Sequence, residues 1–125
     1  MVSGNLAHLS NKQAVRSDSG RYAVIDVGSN SIRLVIFDRL TRGLSVMFNE
    51  KVLCGLGSNI NVTGRLNEEG IHQALTNLRR FSILIREMDV QSLDAVATAA
   101  VRDAQDGAAF LQRVSDECNL ELRVL

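Results

Sequence analysis

The chain has 125 residues, enough for one ordinary domain, and a domain of that size buries roughly two-thirds of the surface its unfolded chain exposes. A composition of 46% hydrophobic and 22% charged residues excludes a disordered chain and a disulfide scaffold. Lys plus Arg equals Asp plus Glu at 14 each, so no whole-molecule field attracts DNA, an anionic membrane or another polyanion, and any anion recognition has to be local.

The opening MVSGNLAHLSNKQAVRSDSG is polar and aperiodic, so residues 1 to about 20 read as a loosely ordered leader, with His8 a solvated bystander. It lacks the apolar stretch of a signal peptide, and no run in the chain approaches the roughly 18 apolar residues of a membrane span, which points to the cytoplasm. From Arg21 the pattern sharpens. YAVIDV and SIRLVIFDR are short β-branched runs separated by GSN, and LSVMFNEKVLCGL follows the turn TRG, as in an antiparallel meander. GSNINVTGR is turn chemistry.

The next segment, LNEEGIHQALTNLRRFSILIREM, places Ile71, Leu75, Leu78, Phe81 or Ser82, Ile85 and Met88 at steps of three and four, the spacing of an amphipathic helix of about six turns. Asn67 is placed to cap it, with Glu68 and Glu69 against the positive helix start and His72 on the polar face. A catalytic role for the two glutamates is the alternative to that capping role. SLDAVATAA then reads as a buried strand, AAFLQRVSDEC as a helix started near Asp106, and LELRVL as a last strand. Alternating strands and helices imply parallel pairing through right-handed crossovers, so the order β-β-β-α-β-α-β predicts an α/β fold with a mixed sheet. Cys54 and Cys118 stand in no ligand or C-x-x-C spacing and read as buried or partly buried thiols in a reducing compartment.

The stretch VIDVGSNS carries the chemistry. Alternation puts Asp26 and Gly28 on one face of the first strand's end, and Ser31 and Arg33 on one face of the second. Between them Gly28, Ser29, Asn30 and Ser31 form a turn in which glycine lets the backbone approach a ligand and successive N–H groups make a nest for phosphate oxygens. Asp26 opposes an anion there, since two unit charges about 4 Å apart repel by about 4 kcal/mol at an effective dielectric of 20. A carboxylate beside a phosphate loop therefore points to a divalent cation between them, Mg²⁺ through water. The same residues also suit a plain hairpin turn. VATAAVRDA adds Arg102 after the carboxyl end of a parallel strand, where open α/β sheets place ligands, and the guanidinium fork suits phosphate. The alternative for Arg102 is a surface pair with Asp103 or Asp106.

AVIDVGSNSIRLVIFD, GRLNEEGI and VATAAVRDAQDGAAFLQRV, in that order, resemble the amino-terminal part of the exopolyphosphatase and guanosine pentaphosphate phosphohydrolase (Ppx/GppA phosphatase) family, over residues 22 to 125. The resemblance implies a first lobe of actin-like ATPase (ribonuclease H-like) type. It also implies Mg²⁺-dependent release of terminal phosphate from polyphosphate or from a phosphorylated guanine nucleotide, guanosine pentaphosphate. By it, Asp26 matches the metal-side aspartate, Gly28 to Ser31 the first phosphate loop and Arg102 a phosphate-binding arginine, with Arg33 a weaker candidate for the outgoing phosphates. In the family a G-x-E-E-A segment, whose glutamate is the general base, and a second phosphate loop of D-x-G-G-G-S type follow the strand matched by ELRVL; neither motif occurs in these 125 residues. Residues 21 to 125 are thus expected to form half an active site, without turnover alone, and to self-associate or need a second lobe. Other readings of the same residues are a non-catalytic phosphate- or nucleotide-binding module and a remnant of an actin-like, sugar-kinase-type protein.

Overall fold

Ala23, Ile25 and Val27 in the first run and Ile32, Leu34 and Ile36 in the second are fully buried, so alternate positions of both strands face the core and the pairing register follows. The computed structural model describes residues 20–40 and 43–125 and forms these runs into β1 (Gly20–Val27) and β2 (Ser31–Leu40). They pair antiparallel with Val27 opposite Ile32 and Asp26 opposite Arg33. Strand β3 (Gly43–Leu53) lies antiparallel on the outer edge of β2. The leader expected over residues 1 to about 20, including His8, lies outside the described residues except for Gly20, as do Thr41 and Arg42 of the expected turn.

After β3 come a single-turn helix α1 (Ile60–Thr63) and the long helix α2 (Glu68–Glu87). Asn67 caps α2 as its residue type predicts: its side chain accepts the Gly70 amide at 2.8 Å. Leu75, Leu78, Phe81 and Ile85 form the buried stripe of α2, and His72 is exposed. Strand β4 (Val90–Ala97) runs parallel to β1, followed by α3 (Ala99–Asp103), α4 (Gly107–Cys118) and β5 (Arg123–Val124), which is parallel to β4. The sheet order is β3-β2-β1-β4-β5, mixed as expected, with two short helices, α1 and α3, added to the predicted elements. Both long helices pack on the face that carries Ile25, Ile32 and Leu34. Phe81 and Phe110 are among the largest side chains fully buried there, each contributing roughly 1.5–3 kcal/mol through burial.

Three boundaries differ from the sequence expectation. The strand predicted over SLDAVATAA stops at Ala97, because the Thr98 amide turns back onto the Val27 carbonyl at 3.0 Å and Ala99 and Ala100 enter α3. The third strand stops at Leu53 rather than running through CGL, because the amides of Cys54 and Gly55 are drawn off the sheet to the Asn30 carbonyl. Helix α4 starts directly after Asp106, as expected, without a side-chain cap; the Asp106 carboxylate accepts the Leu66 amide, at 2.9 Å. Of LELRVL only Arg123 and Val124 pair, alongside Val96 and Ala97.

Candidate phosphate-binding site

At the carboxyl end of β1 the chain reverses through Ser29 and Asn30, closed by the Gly28 amide donating to the Ser31 carbonyl at 2.9 Å. The loop is held from below through its own acceptors. The Asn30 carbonyl accepts from the Cys54 and Gly55 amides at 2.9 and 3.0 Å, and the Ser29 carbonyl accepts from the Gly57 amide at 2.9 Å. Among the described residues the Ser29 and Asn30 amides and the side chains of Ser29, Asn30 and Ser31 make no hydrogen bond, and no buried side-chain polar atom lacks a partner. The loop tip thus spends the Ser29 and Asn30 carbonyls on the fold and leaves the amides of the same two residues without a partner, the polarity that an oxyanion requires.

Parallel pairing of β1 and β4 brings Thr98 to this edge, where its hydroxyl lies 3.4 Å from the Val27 carbonyl. Beside the loop a cleft of about 260 Å³ is lined by Ser29, Ile60, Asn61, Gly64, Ala99, Ala100 and Asp103. Thr98 and Gly57 are the site neighbours that sequence reasoning missed, and Asp103 was named only as a surface partner of Arg102; the two glycines of CGLG, spaced two apart, were the available signal for Gly57.

The charged candidates are placed less uniformly. Asp26 is exposed on the sheet face opposite the helices, directly across from Arg33, and forms no ion pair among the described residues. Arg33 donates to the Asn49 side chain at 2.7 Å, toward β3 rather than toward the loop. Arg102 follows β4 on α3, but its guanidinium lies on Asp103, with Nε to Oδ1 at 2.9 Å, and reaches the Leu125 carbonyl at 3.3 Å. That pair holds Asp103 below the usual carboxylate range and raises Arg102. Gly28, Ser29, Asn30 and Ser31 therefore come together with Thr98 at one edge, while Arg33 and Arg102 are occupied elsewhere. Glu68 and Glu69 sit in the first turn of α2, in the position that favours a helix start. The two cysteines are free, Cys118 buried and Cys54 partly so; burial pushes both thiols up.

Among the described residues no three His, Cys, Asp or Glu side chains converge on a metal position. An exposed carboxylate with no ion pair among the described residues, two positions before the loop, fits Mg²⁺, which keeps several waters and binds through one or two carboxylates plus substrate oxygens. Asp26 is the residue that would hold it.

The model of the Ppx/GppA phosphatase family matches residues 35–125. Exopolyphosphatase 1 of Mycobacterium tuberculosis is 30% identical over 106 residues, covering 84% of this chain and 31% of that protein. The guanosine-5'-triphosphate,3'-diphosphate pyrophosphatase of Pseudoalteromonas translucida is 30% identical over 89 residues, covering 71% of this chain and 18% of that protein. The crystal structure of the Aquifex aeolicus Ppx/GppA family member superposes with a TM-score of 0.83 at 36% identity, over 86% of this chain and 35% of that one. The chain thus spans about a third or less of the length of these relatives. The mixed α/β sheet expected from the sequence is thus shared with a solved member of the Ppx/GppA family. With sequence family, relatives and fold in agreement, the chain belongs to the Ppx/GppA phosphatase family.

Proposed function

We propose that these residues form the phosphate-binding lobe of a cytoplasmic phosphohydrolase that releases terminal phosphate from inorganic polyphosphate or guanosine pentaphosphate. The observation that carries this reading is the polarity at the tip of the residue 28–31 loop: the Ser29 and Asn30 carbonyls are tied to the amides of residues 54, 55 and 57, and the Ser29 and Asn30 amides are left over. Ser29, Asn30 and Ser31 would hold the terminal phosphate, and Thr98 would keep the end of β1 against that of β4. Arg102 would leave Asp103 to meet the phosphate, an exchange of one exposed ionic partner for another. Asp26 would hold Mg²⁺, which supplies charge neutralisation on the phosphoryl oxygens. The general base and the opposing phosphate clamp are assigned, by family resemblance, to residues outside these 125. Family membership supports the substrate class, since the relatives named above carry exopolyphosphatase and guanosine pyrophosphatase names. No helix among the described residues is long and apolar enough to cross a membrane.

A second reading is favoured by the Arg102–Asp103 pair: a module that binds phosphate without turnover, with Arg102 a surface ion pair. A two-dimensional NMR titration with inorganic phosphate separates the possibilities. The lobe reading expects shifts at the amides of Gly28 to Ser31, a dissociation constant in the millimolar range, about −4 kcal/mol, and weaker binding for Arg102→Ala at an unchanged thermal midpoint. Phosphate binding that is indifferent to Arg102→Ala favours the module; silent loop amides reject both.

A further inference from the structure

Residues 54 to 57 form a strap between the phosphate loop and the start of α2. On one side their amides take the carbonyls of Ser29 and Asn30. On the other, Gly70 of α2 packs so closely that a Cβ there would stand 2.9 Å from the Gly55 carbonyl oxygen and 3.0 Å from that of Cys54. The strap is also tied by the Asn67 amide on the Leu56 carbonyl at 2.9 Å. Little room remains for it to retreat from the loop.

Gly57 sits where the strap meets the loop. A Cβ at this position would lie 3.0 Å from the Ser29 Cβ, 3.4 Å from its hydroxyl and 3.5 Å from the Ala100 Cβ. Its φ is not in the left-handed region, unlike Gly55 at +69° and Gly64 at +71°. Backbone strain therefore does not call for glycine at residue 57; the close approach of Ser29 does.

From this contact we infer that Gly57 is a positioning residue: the strap, backed by α2, sets the height of the phosphate loop, and glycine at 57 is what allows Ser29 to present its amide and hydroxyl to an anion. The role rests on the phosphate-binding reading above. One added methyl has to move Ser29 by a few tenths of an ångström, since the backbone behind the strap is already in contact. Sub-ångström displacement of a group that grips an oxyanion weakens the grip without unfolding the protein.

The test is the same phosphate titration on the 125-residue chain with three single variants and one double variant. Gly57→Ala should shift the free-state amides of Ser29 and Asn30 and weaken inorganic phosphate binding about 5-fold. Gly43→Ala controls for lost stability: it places a residue at φ +136° with no atom within 4 Å, so it should lower the thermal midpoint and leave phosphate affinity unchanged. Ser29→Gly removes the Cβ that the methyl would meet, so adding Gly57→Ala to it should cost nothing further in affinity. That double comparison decides the matter if Gly57→Ala alone does not fold. Wild-type protein that binds phosphate, with Gly57→Ala binding equally well or costing as much in the Ser29→Gly background, overturns the positioning role alone. Wild-type protein that binds no phosphate overturns the proposed function and this role with it.

Discussion

Replacing Gly70 by alanine sets two effects of opposite sign against each other. Gly70 is buried in the first turn of α2, its amide held by the Asn67 side chain. Alanine in a helix is favoured over glycine by about 1 kcal/mol, and at a solvent-facing site the substitution would stabilise the protein by that amount. Here the new Cβ would meet the Gly55 carbonyl oxygen at 2.9 Å, the Cys54 carbonyl oxygen at 3.0 Å and the Gly55 carbonyl carbon at 3.0 Å. All three are main-chain atoms, so no rotamer change relieves the contact. The strap cannot slide forward either, because the amides of Cys54 and Gly55 are bound to the Asn30 carbonyl. Overpacking of this kind costs roughly 1–3 kcal/mol, and against the propensity gain it leaves a net loss of about 1 kcal/mol, or roughly 4 °C in the thermal midpoint for a domain of this size. Urea unfolding followed by circular dichroism should give a lower midpoint at an unchanged slope, and the amides of Asn30 and Gly55 should move in the NMR spectrum. A midpoint that rises by the propensity amount would refute the close packing of α2 on the strap.

Two further perturbations address the charges. Arg80 of α2 hydrogen-bonds Glu50 of β3 through both guanidinium Nη atoms, which holds the Glu50 carboxyl below the usual glutamate value. A carboxyl depressed in the folded state adds stability above its unfolded pKa and loses it as pH falls through the folded one. The stability difference between wild type and Glu50→Gln, up to about 1 kcal/mol for a pair this exposed, should therefore be present above the ordinary glutamate value and disappear as pH falls through the depressed one; a difference that persists once the carboxyl is protonated would show that packing, not charge, is responsible. At the site, Asp26→Asn should abolish any Mg²⁺ enhancement of phosphate binding and, without Mg²⁺, should bind phosphate as well as wild type or better, since a like charge is removed. Retained Mg²⁺ enhancement in isothermal titration calorimetry would take Asp26 out of the metal role.

The sheet and the long helix were legible in sequence because burial repeats along them at short, fixed periods. Ala23, Ile25 and Val27 alternate with Val24 and Asp26, and a register in which those three are buried leaves one arrangement of β1 on β2. Asn67 followed by two glutamates and a stripe at steps of three and four announced α2 to within a residue or two of its observed ends. The end of β4 was not legible in the same way. The small residues from Val96 to Ala100, apolar but for Thr98, suit a strand or a helix equally, and the choice falls to the Val27 carbonyl, which takes the Thr98 amide.

The site divides along the same line. Its residue types, one carboxylate, one glycine and small donors after an apolar run, are a property of the segment VIDVGSNS and could be read there. Whether those donors are left over depends on whose amides occupy the loop's carbonyls, and these come from residues 54, 55 and 57, more than twenty positions away. Arg102 shows the same dependence, since its guanidinium meets both its neighbour Asp103 and the carbonyl of Leu125, 23 residues on. By itself the sequence determined what each segment presents at its own period; the tertiary structure alone decided which carbonyl meets which amide between segments, because hydrogen bonding depends on proximity in space, to which separation along the chain is no guide.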